Sequence, residues 1–310
     1  MKDTNLIIGI AANYDRFDIS IFVESLRNTG CLDEVVLFET NFTEKCYDFC
    51  KKNNISTIKI NSEYPWFVNK ELSLNLRNID PNTPYPAHYI RFFLIEAFLK
   101  SYKNYKNIII SDVRDVFFQK NPFKTTIKNN ELHCFLESEK LTISKEPINA
   151  AWVVNGYAEA GLIEIKNECI SCCGVIVGGT KAIIRYTKIM CNEFERLSNS
   201  KVIIGFDGVM EQAIHNYLLR KGNLDPVEII ADDFGLVSTL SYFKPKNDIH
   251  LNSFNQIVNS DKTVIPIVHQ YDRFPDIEKK ILKSLSLKPR LLNILSKKAK
   301  WIWPFLKKIF

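Results

Sequence analysis

Asp112, Arg114 and Asp115 follow directly on Ile108-Ile109-Ile110-Ser111 and are the residues best placed by type and spacing to do chemistry. Three consecutive isoleucines have the composition of a strand buried on both faces. Open α/β sheets bind their ligands outside the carboxyl ends of such strands. Two carboxylates at that position are costly to bury unless a counter-charge compensates them. A divalent cation shared with a phosphate does so, because a hard cation takes carboxylate oxygens and leaves positions for phosphate oxygens. The competing reading makes Asp112 and Asp115 turn caps and Arg114 a surface ion-pair partner.

The elements that must position these residues alternate between strand and helix. Leu6–Ala12, Val35–Phe38 and Ile55–Ile60 have strand composition, and Phe17–Asn28 and Phe42–Lys52 between them have helical patterning. That alternation predicts a mostly parallel sheet built from βαβ units. Residues 61–87 carry Pro65, Pro81, Pro84 and Pro86 and read as a loop, with one short helix near Lys70–Arg77. Ala87–Tyr102 has helical spacing and leads into the carboxylate strand. Leu132–Leu136, Trp152–Val154 and Gly161–Ile165 are expected as short strands, and Ile170–Val177 as a longer one. Thr180 is expected to cap a helix reaching Leu197. Asp207 is expected to cap the next, whose Val209, Met210, Ala213, Ile214, Tyr217 and Leu218 form an apolar stripe. Val227–Ile230 and Val264–His269 complete the strands.

At 310 residues with 46% hydrophobic and 25% charged side chains, the composition is that of a globular α/β protein. The net charge of +6 is unevenly spread: ten Lys and Arg and no acid lie beyond Glu278, leaving 31 basic against 35 acidic side chains before it. No apolar run approaches the roughly 20 residues of a membrane span. Leu6–Ala12 is too short and too closely flanked by polar residues for a signal peptide, so the eight cysteines read as reduced thiols of a cytosolic protein. Cys169-Ile-Ser-Cys172 has a zinc-like spacing, but no second pair repeats it, and buried thiols are the simpler account. Residues 277–310 mix their cations with Trp301, Trp303, Phe305 and several leucines. That pattern fits a helix lying on an anionic membrane surface. Nucleic acid is not expected as a partner, since the body carries no basic stripe or recognition motif.

Four stretches together resemble the metal-dependent nucleotide-sugar glycosyltransferases of the GT-A fold, with the closest look to the retaining family of glycogenin and the bacterial lipooligosaccharide galactosyltransferases. Ile8–Tyr14, the first strand and its exit, sits where such enzymes hold the nucleotide base, and Tyr89-Ile90-Arg91 and Leu94, followed by the 108–115 strand, resemble that family's arginine-bearing helix and Asp-X-Asp motif. Ser171-Cys172-Cys173-Gly174-Val175-Ile176 resembles its donor-sugar strand. Glu211-Gln212-Ala213-Ile214-His215-Asn216 resembles its Asp-Gln-X-X-X-Asn helix. His269 falls where a late histidine completes the metal site. Departures are the Asp-Val-Arg-Asp spacing, Cys172-Cys173 for Asn-Ala, Glu211 for Asp, and His269-Gln-Tyr-Asp-Arg273 in place of Gly-X-X-Lys-Pro-Trp.

The resemblance implies one GT-A domain over residues 1–276 with a mostly parallel central sheet; the composition of residues 277–310 adds a basic amphipathic helical tail. It implies Mn²⁺ or Mg²⁺ on Asp112, Asp115 and His269. Ala11, Asn13, Tyr14, Arg91, Asp112, Arg114, Gly174 and Arg273 would hold the nucleotide donor. Gln212 would lie beneath the anomeric carbon, with Glu211 and Asp207 as further catalytic candidates. The expected reaction moves a sugar, with retention, from a nucleoside diphosphate donor (a UDP-sugar foremost) to a lipid-linked or cell-surface glycan. The expected location is cytoplasmic, peripheral on the inner face of the plasma membrane. Two alternatives stand beside it: an inverting transferase with Asp207 or Glu211 as general base, and a catalytically silent nucleotide-sugar-binding protein tethered by the tail.

Overall fold

The computed structural model describes residues 4–60, 86–102, 105–124, 127, 130–205, 207–241 and 244–285. The expected helix near Lys70–Arg77 and the tail beyond Leu285 lie outside these residues. In order come β1 (Thr4–Ala12), α1 (Arg16–Asn28), β2 (Glu34–Thr40), α2 (Glu44–Lys52), β3 (Ser56–Lys59), α3 (Ala87–Ser101), β4 (Tyr105–Ser111) and β5 (Val116–Phe118). Then follow β6 (Leu132–Leu136), α4 (Pro147–Ile165), β7 (Ser171–Gly179), α5 (Thr180–Asn199), α6 (Glu211–Arg220), β8 (Val227–Ile230) and β9 (Val237–Thr239). β10 (His250–Leu251), β11 (Ile257–Val258), β12 (Ile267–His269) and α7 (Pro275–Ser284) complete the described chain.

Seven strands form the central sheet in the order β3-β2-β1-β4-β7-β6-β8. Every pairing is parallel except those of β7, which runs against both β4 and β6. The sheet is therefore mostly parallel, as the βαβ alternation predicts. Two apolar layers cover it. Leu6, Ile8, Ile108, Ile110 and Ile176 face α3 and α5, whereas Ile7, Leu37, Ile109 and Val177 face α1 and α2. Ile108, Ile109 and Ile110 are fully buried, which accounts for an uninterrupted apolar run where one-sided strands alternate.

A second sheet, β5-β12-β9, lies beyond the carboxyl end of β4. Pairing of His269 with Val116 on β5 and with Thr239 on β9 sets the histidine next to the Asp112–Asp115 turn.

Several expectations need correction. Trp152–Val154 and Gly161–Ile165 are not strands but parts of α4. Glu146 caps that helix and Pro147 begins it, a start signal that the apolar runs obscured. Only Asn149, Val153, Gly161 and Ile165 of α4 are buried. Its apolar residues therefore spread well beyond one helical face and blur the period. Thr180 is the first residue of α5 rather than its cap, and its hydroxyl donates to the Tyr105 carbonyl. Asp207 caps nothing: α6 begins at Glu211, and Asp207 is exposed in a tight loop closed by the Gly205–Val209 and Val209–Ile203 main-chain bonds.

The expected boundary at residue 276 falls inside α7. Ile277, Ile281 and Leu282 are buried there with Ile21, Leu240, Val268 and Tyr271 in a third apolar cluster. Residues 277–285 are thus packed on the body rather than appended to it. No helix among the described residues is long and apolar enough to cross a membrane.

Candidate active site

The carboxyl ends of β1 and β4, the start of β7, the amino ends of α3, α4 and α6, and the end of β12 enclose a cleft of about 440 Å³. At its floor, Asp112 leaves β4 with its N–H donating to the Gly174 carbonyl of β7 at 2.6 Å. The chain turns at once through Val113 and Arg114, which brings Asp115 back beside Asp112 despite the three-residue spacing. Nε2 of His269 lies 3.4 Å from Oδ2 of Asp112 and 3.8 Å from Oδ1 of Asp115, outside hydrogen-bonding geometry to either. The ligand atoms of Asp112, Asp115 and His269 all lie within 4.8 Å of one another. Nδ1 of the same ring faces the Thr239 hydroxyl at 3.4 Å and the Cys172 thiol at 3.6 Å.

Charge holds this floor together. Arg91 of α3 is buried, donates to Asp112 Oδ1 and to the Cys173 carbonyl at 3.2 Å, and stands 3.9 Å from Glu211. Burial opposes a charge on Asp112, but Arg91 and His269 hold its carboxyl well below the usual range. Burial likewise disfavours a proton on His269, yet Asp112 and Asp115 together raise its proton affinity. Arg273 reaches Asp115 at 3.4 Å and also pairs with Asp272, while Arg114 reaches Asp272 at 3.9 Å. The Tyr271 hydroxyl donates to the Arg114 carbonyl at 3.0 Å and ties the turn to the second sheet.

These residues fit a divalent cation. Two carboxylates and one imidazole are a mixed oxygen and nitrogen set suited to Mn²⁺ or Mg²⁺. The buried Nε2 faces the carboxylates with no hydrogen bond of its own, and a glycine at 174 keeps the space beside it clear. No cysteine belongs to a metal-ligating cluster among the described residues, and Cys172 and Cys173 are buried thiols. The other such cluster, Glu131, His133 and Glu228, sits at the amino end of β6, away from the cleft.

Of the remaining candidates, Tyr14, Arg91, Arg114, Gly174, Glu211, Gln212 and Arg273 line the cleft. Ala11, Asn13 and Asp207 do not. Ala11 points into the α1/α2 layer, because neighbouring strand residues face opposite sides; Ile10 and Ala12 face the cleft instead. Asn13 is exposed in a left-handed turn, with its N–H bonded to the Thr40 hydroxyl at 2.8 Å. Asn216, one turn after Gln212, clasps β7 by accepting from the Ser171 N–H and donating to the Ser171 carbonyl, each at 2.8 Å. His215 is buried between Tyr186 and Ser171, each 3.0 Å away, and burial pushes its pKa down to about 3.

The sequence reading missed the far wall of the cleft. Glu137 at the end of β6, and Glu146, Asn149 and Trp152 of α4 and its cap, all line it, as does His88, 3.6 Å from Glu211. Gln212 donates through Nε2 to Glu137 at 3.1 Å and to Asn149 at 3.0 Å. Burial raises the pKa of Glu137 to about 7, against the pull of His269 and its hydrogen bonds from Gln212 and Cys172.

No protein-family model matches the chain, and no curated protein does. Among solved structures it is similar to the galactosyltransferase LgtC in complex with donor and acceptor sugar analogues. That likeness has a TM-score of 0.52 and 14% identity over 92% of this chain and 98% of that one. An active-site mutant of LgtC, in which a glutamine is replaced by glutamate, is similar to the same degree, with a TM-score of 0.52 and 14% identity over 93% and 99% of the two chains. The likeness is one of fold: the chain has the GT-A glycosyltransferase fold.

Proposed function

We propose that this protein is a metal-dependent glycosyltransferase that moves a sugar, with retention, from a nucleoside diphosphate donor to a glycan or lipid-linked acceptor. The observation that carries the reading is the convergence of Asp112, Asp115 and a hydrogen-bond-free His269 Nε2 at the floor of a cleft, in a GT-A fold. Those three residues would hold Mn²⁺ or Mg²⁺. The cation, when bound, supplies a Lewis acid that neutralises charge building on a diphosphate leaving group.

The chain's own residues supply the rest. Arg114 and Arg273 flank the carboxylates, and a guanidinium fork matches phosphate oxygens. Ile10, Ala12 and Tyr14 give the β1 side of the cleft an apolar and aromatic wall for a nucleobase. Gln212 spends both amide hydrogens on Glu137 and Asn149, leaving its carbonyl oxygen for the cleft. A neutral lone pair there favours an oxocarbenium-like sugar without acting as a strong base. LgtC's mutated active-site glutamine supports that role. Attack from the same face, with the departing phosphate accepting the acceptor's proton, needs no protein base. The inverting alternative loses Asp207, which is exposed outside the cleft, and Glu211 is paired with Arg91 and His88.

The partners follow from the same reading. The analogues bound to LgtC support a sugar donor and a sugar acceptor, and the lysine- and tryptophan-rich segment beyond Leu285 supports docking on an anionic membrane from the cytoplasmic side. Nucleotide release from a panel of nucleotide sugars, with Mn²⁺ and then with excess chelator, tests the reading. Chelator-sensitive turnover of at least one donor is expected. No turnover across the panel overturns it, and the anomeric configuration of the product separates retention from inversion.

A further inference from the structure

A relay of two side chains, Glu146 and Asn149, leads to Gln212 from α4 and its cap, and Glu137 reaches the same amide from the end of β6. The Glu146 carboxylate caps that helix: Oε1 accepts from the Ile148 N–H at 3.0 Å and Oε2 from the Asn149 N–H at 2.6 Å. Oε2 also accepts from Asn149 Nδ2 at 2.6 Å. A carboxylate serving as acceptor three times has no use for the carbonyl end of Asn149, so the Asn149 amide has one stable orientation. Its Oδ1 then faces α6 and can only accept, which it does from Gln212 Nε2. Glu137 takes the second hydrogen of the same nitrogen. A reversed Gln212 amide would set its carbonyl oxygen against the Asn149 carbonyl oxygen at any pH, and against Glu137 as well once that carboxyl is ionised, leaving buried hydrogen bonds unmade.

The geometry points to Glu146 and Asn149 as positioning residues that lock the Gln212 amide with its carbonyl oxygen towards the cleft, so that a reacting sugar meets a lone pair and not an N–H. This inference rests on the transferase reading for the word "reacting" and on geometry alone for the lock. Glu146 and Asn149 are buried, at 1% and 7% exposure; Asn149 bonds Gln212 directly, and Glu146 acts on it through Asn149. A glutamine presents either end of its amide with nearly the same shape. Charge at the sugar would change sign with the flip, which makes the orientation worth enforcing.

Two variants and two readouts test it. Asn149→Leu keeps the volume and removes both ends of the relay. The Gln212 side-chain NH₂, assigned in ¹⁵N spectra by its absence in Gln212→Leu, is expected to exchange slowly with water in the native protein and quickly in Asn149→Leu. In the transferase assay the same variant should lose about ten- to a hundredfold in kcat with the donor KM little changed, because the lost interaction belongs to the transition state. Asn149→Asp can rebuild the relay only while its carboxyl is protonated, donating to Glu146 and offering its other oxygen to Gln212. Glu146, which bonds that position, and Glu137, which shares Gln212 with it, favour the protonated form, against the opposing pull of Arg91 and His88 of α3 and His269 of β12 in the same cleft. Its activity should therefore recover as pH falls, unlike that of Asn149→Leu. Unchanged amide exchange in Asn149→Leu overturns the lock, as does a loss confined to KM or equal at every pH in both variants. Exchange that behaves as expected in a protein that turns over no nucleotide sugar upholds the lock and overturns the transferase reading instead.

Discussion

A Cβ placed on Gly174 would stand 2.3 Å from Cε1 of His269 and 2.8 Å from Oδ2 of Asp112. Real Cβ atoms do not come so close, so the imidazole or the carboxylate must move if any side chain is added. Gly174→Ala should therefore fold, at a cost of about 1–3 kcal/mol for overpacking. It should lose at least about a hundredfold in Mn²⁺ affinity and in turnover. Titration with Mn²⁺ followed by its paramagnetic signal checks the affinity, and a thermal melt checks the fold. Unaltered Mn²⁺ binding would separate His269 from the metal.

The two carboxylates are expected to fail differently. Asp115→Ala should remove metal-dependent turnover while leaving stability close to native. Asp112→Ala removes the other carboxylate ligand and also leaves the buried Arg91 guanidinium with Glu211 at 3.9 Å. Because Asp112 is 35% exposed, the full cost of breaking a buried pair does not apply, and about 1–3 kcal/mol is the expected loss. Urea unfolding of the two variants side by side makes the comparison. Equal stability would mean that Arg91 does not depend on Asp112.

Gln212→Leu should lower kcat far more than it raises the donor KM. Asp207→Asn should be indistinguishable from native in both, since Asp207 is exposed outside the cleft and caps no helix. Steady-state kinetics with the preferred donor checks both. An inactive but folded Asp207→Asn would return the case to an inverting mechanism.

Glu137 gives stability a pH dependence of definite sign. Its carboxyl holds a proton up to about pH 7 in the fold but only to about 4.5 in the free side chain. The folded state therefore binds more protons between those values, and the contribution is complete below about 4.5 and lost as pH rises through 7. Glu137→Gln, which cannot ionise, should be less sensitive over that range and about 1–3 kcal/mol more stable than native at pH 8 relative to pH 5. Urea unfolding at the two pH values measures it, and parallel curves for both proteins would remove the claim.

Where the chain is cut decides what is lost. Truncation after Asp276 removes Ile277, Ile281 and Leu282 from their apolar cluster, each worth about 1.5–3 kcal/mol of burial, and should destabilise the body. Truncation after Leu285 should leave activity on a short soluble acceptor unchanged and abolish sedimentation with anionic vesicles. Equal vesicle binding before and after the second cut would rule out the membrane role of the tail.

What could be read from the chain alone follows the physics of each signal. Ile108–Ile110 and Leu6–Ala12 were legible because strands covered on both faces need unbroken apolar runs. Asp112, Asp115 and His269 were legible because their types have few other reasons to stand at strand ends. α4 was not: it buries only a narrow seam, so Trp152, Val154 and Leu162 obscure the helical period, and Glu146-Pro147 was the one clear start signal. With α4 misread, Glu146 and Asn149 could not be placed beside Gln212. Ala11 was a parity error of one residue, which along a strand exchanges one face for the other. Asp207 had a cap's composition but stands four residues before the helix begins.

β7 runs against every other strand of the sheet, and that reversal changes which connections matter to a protein engineer. In the parallel strands the chain passes through the catalytic rim on its way out, so the segments that follow them are the natural places to alter specificity. For β7 the order is inverted: Ser171 and Gly174 come first, at the rim, and Gly179 hands over to α5 at the opposite end of the sheet. Residues 166–170 lead directly into that rim and are held by main-chain bonds from Ser144, Ile143 and Glu137. An insertion there is expected to disturb the cleft floor, whereas the same insertion at the start of α5 lies a strand's length away from the chemistry.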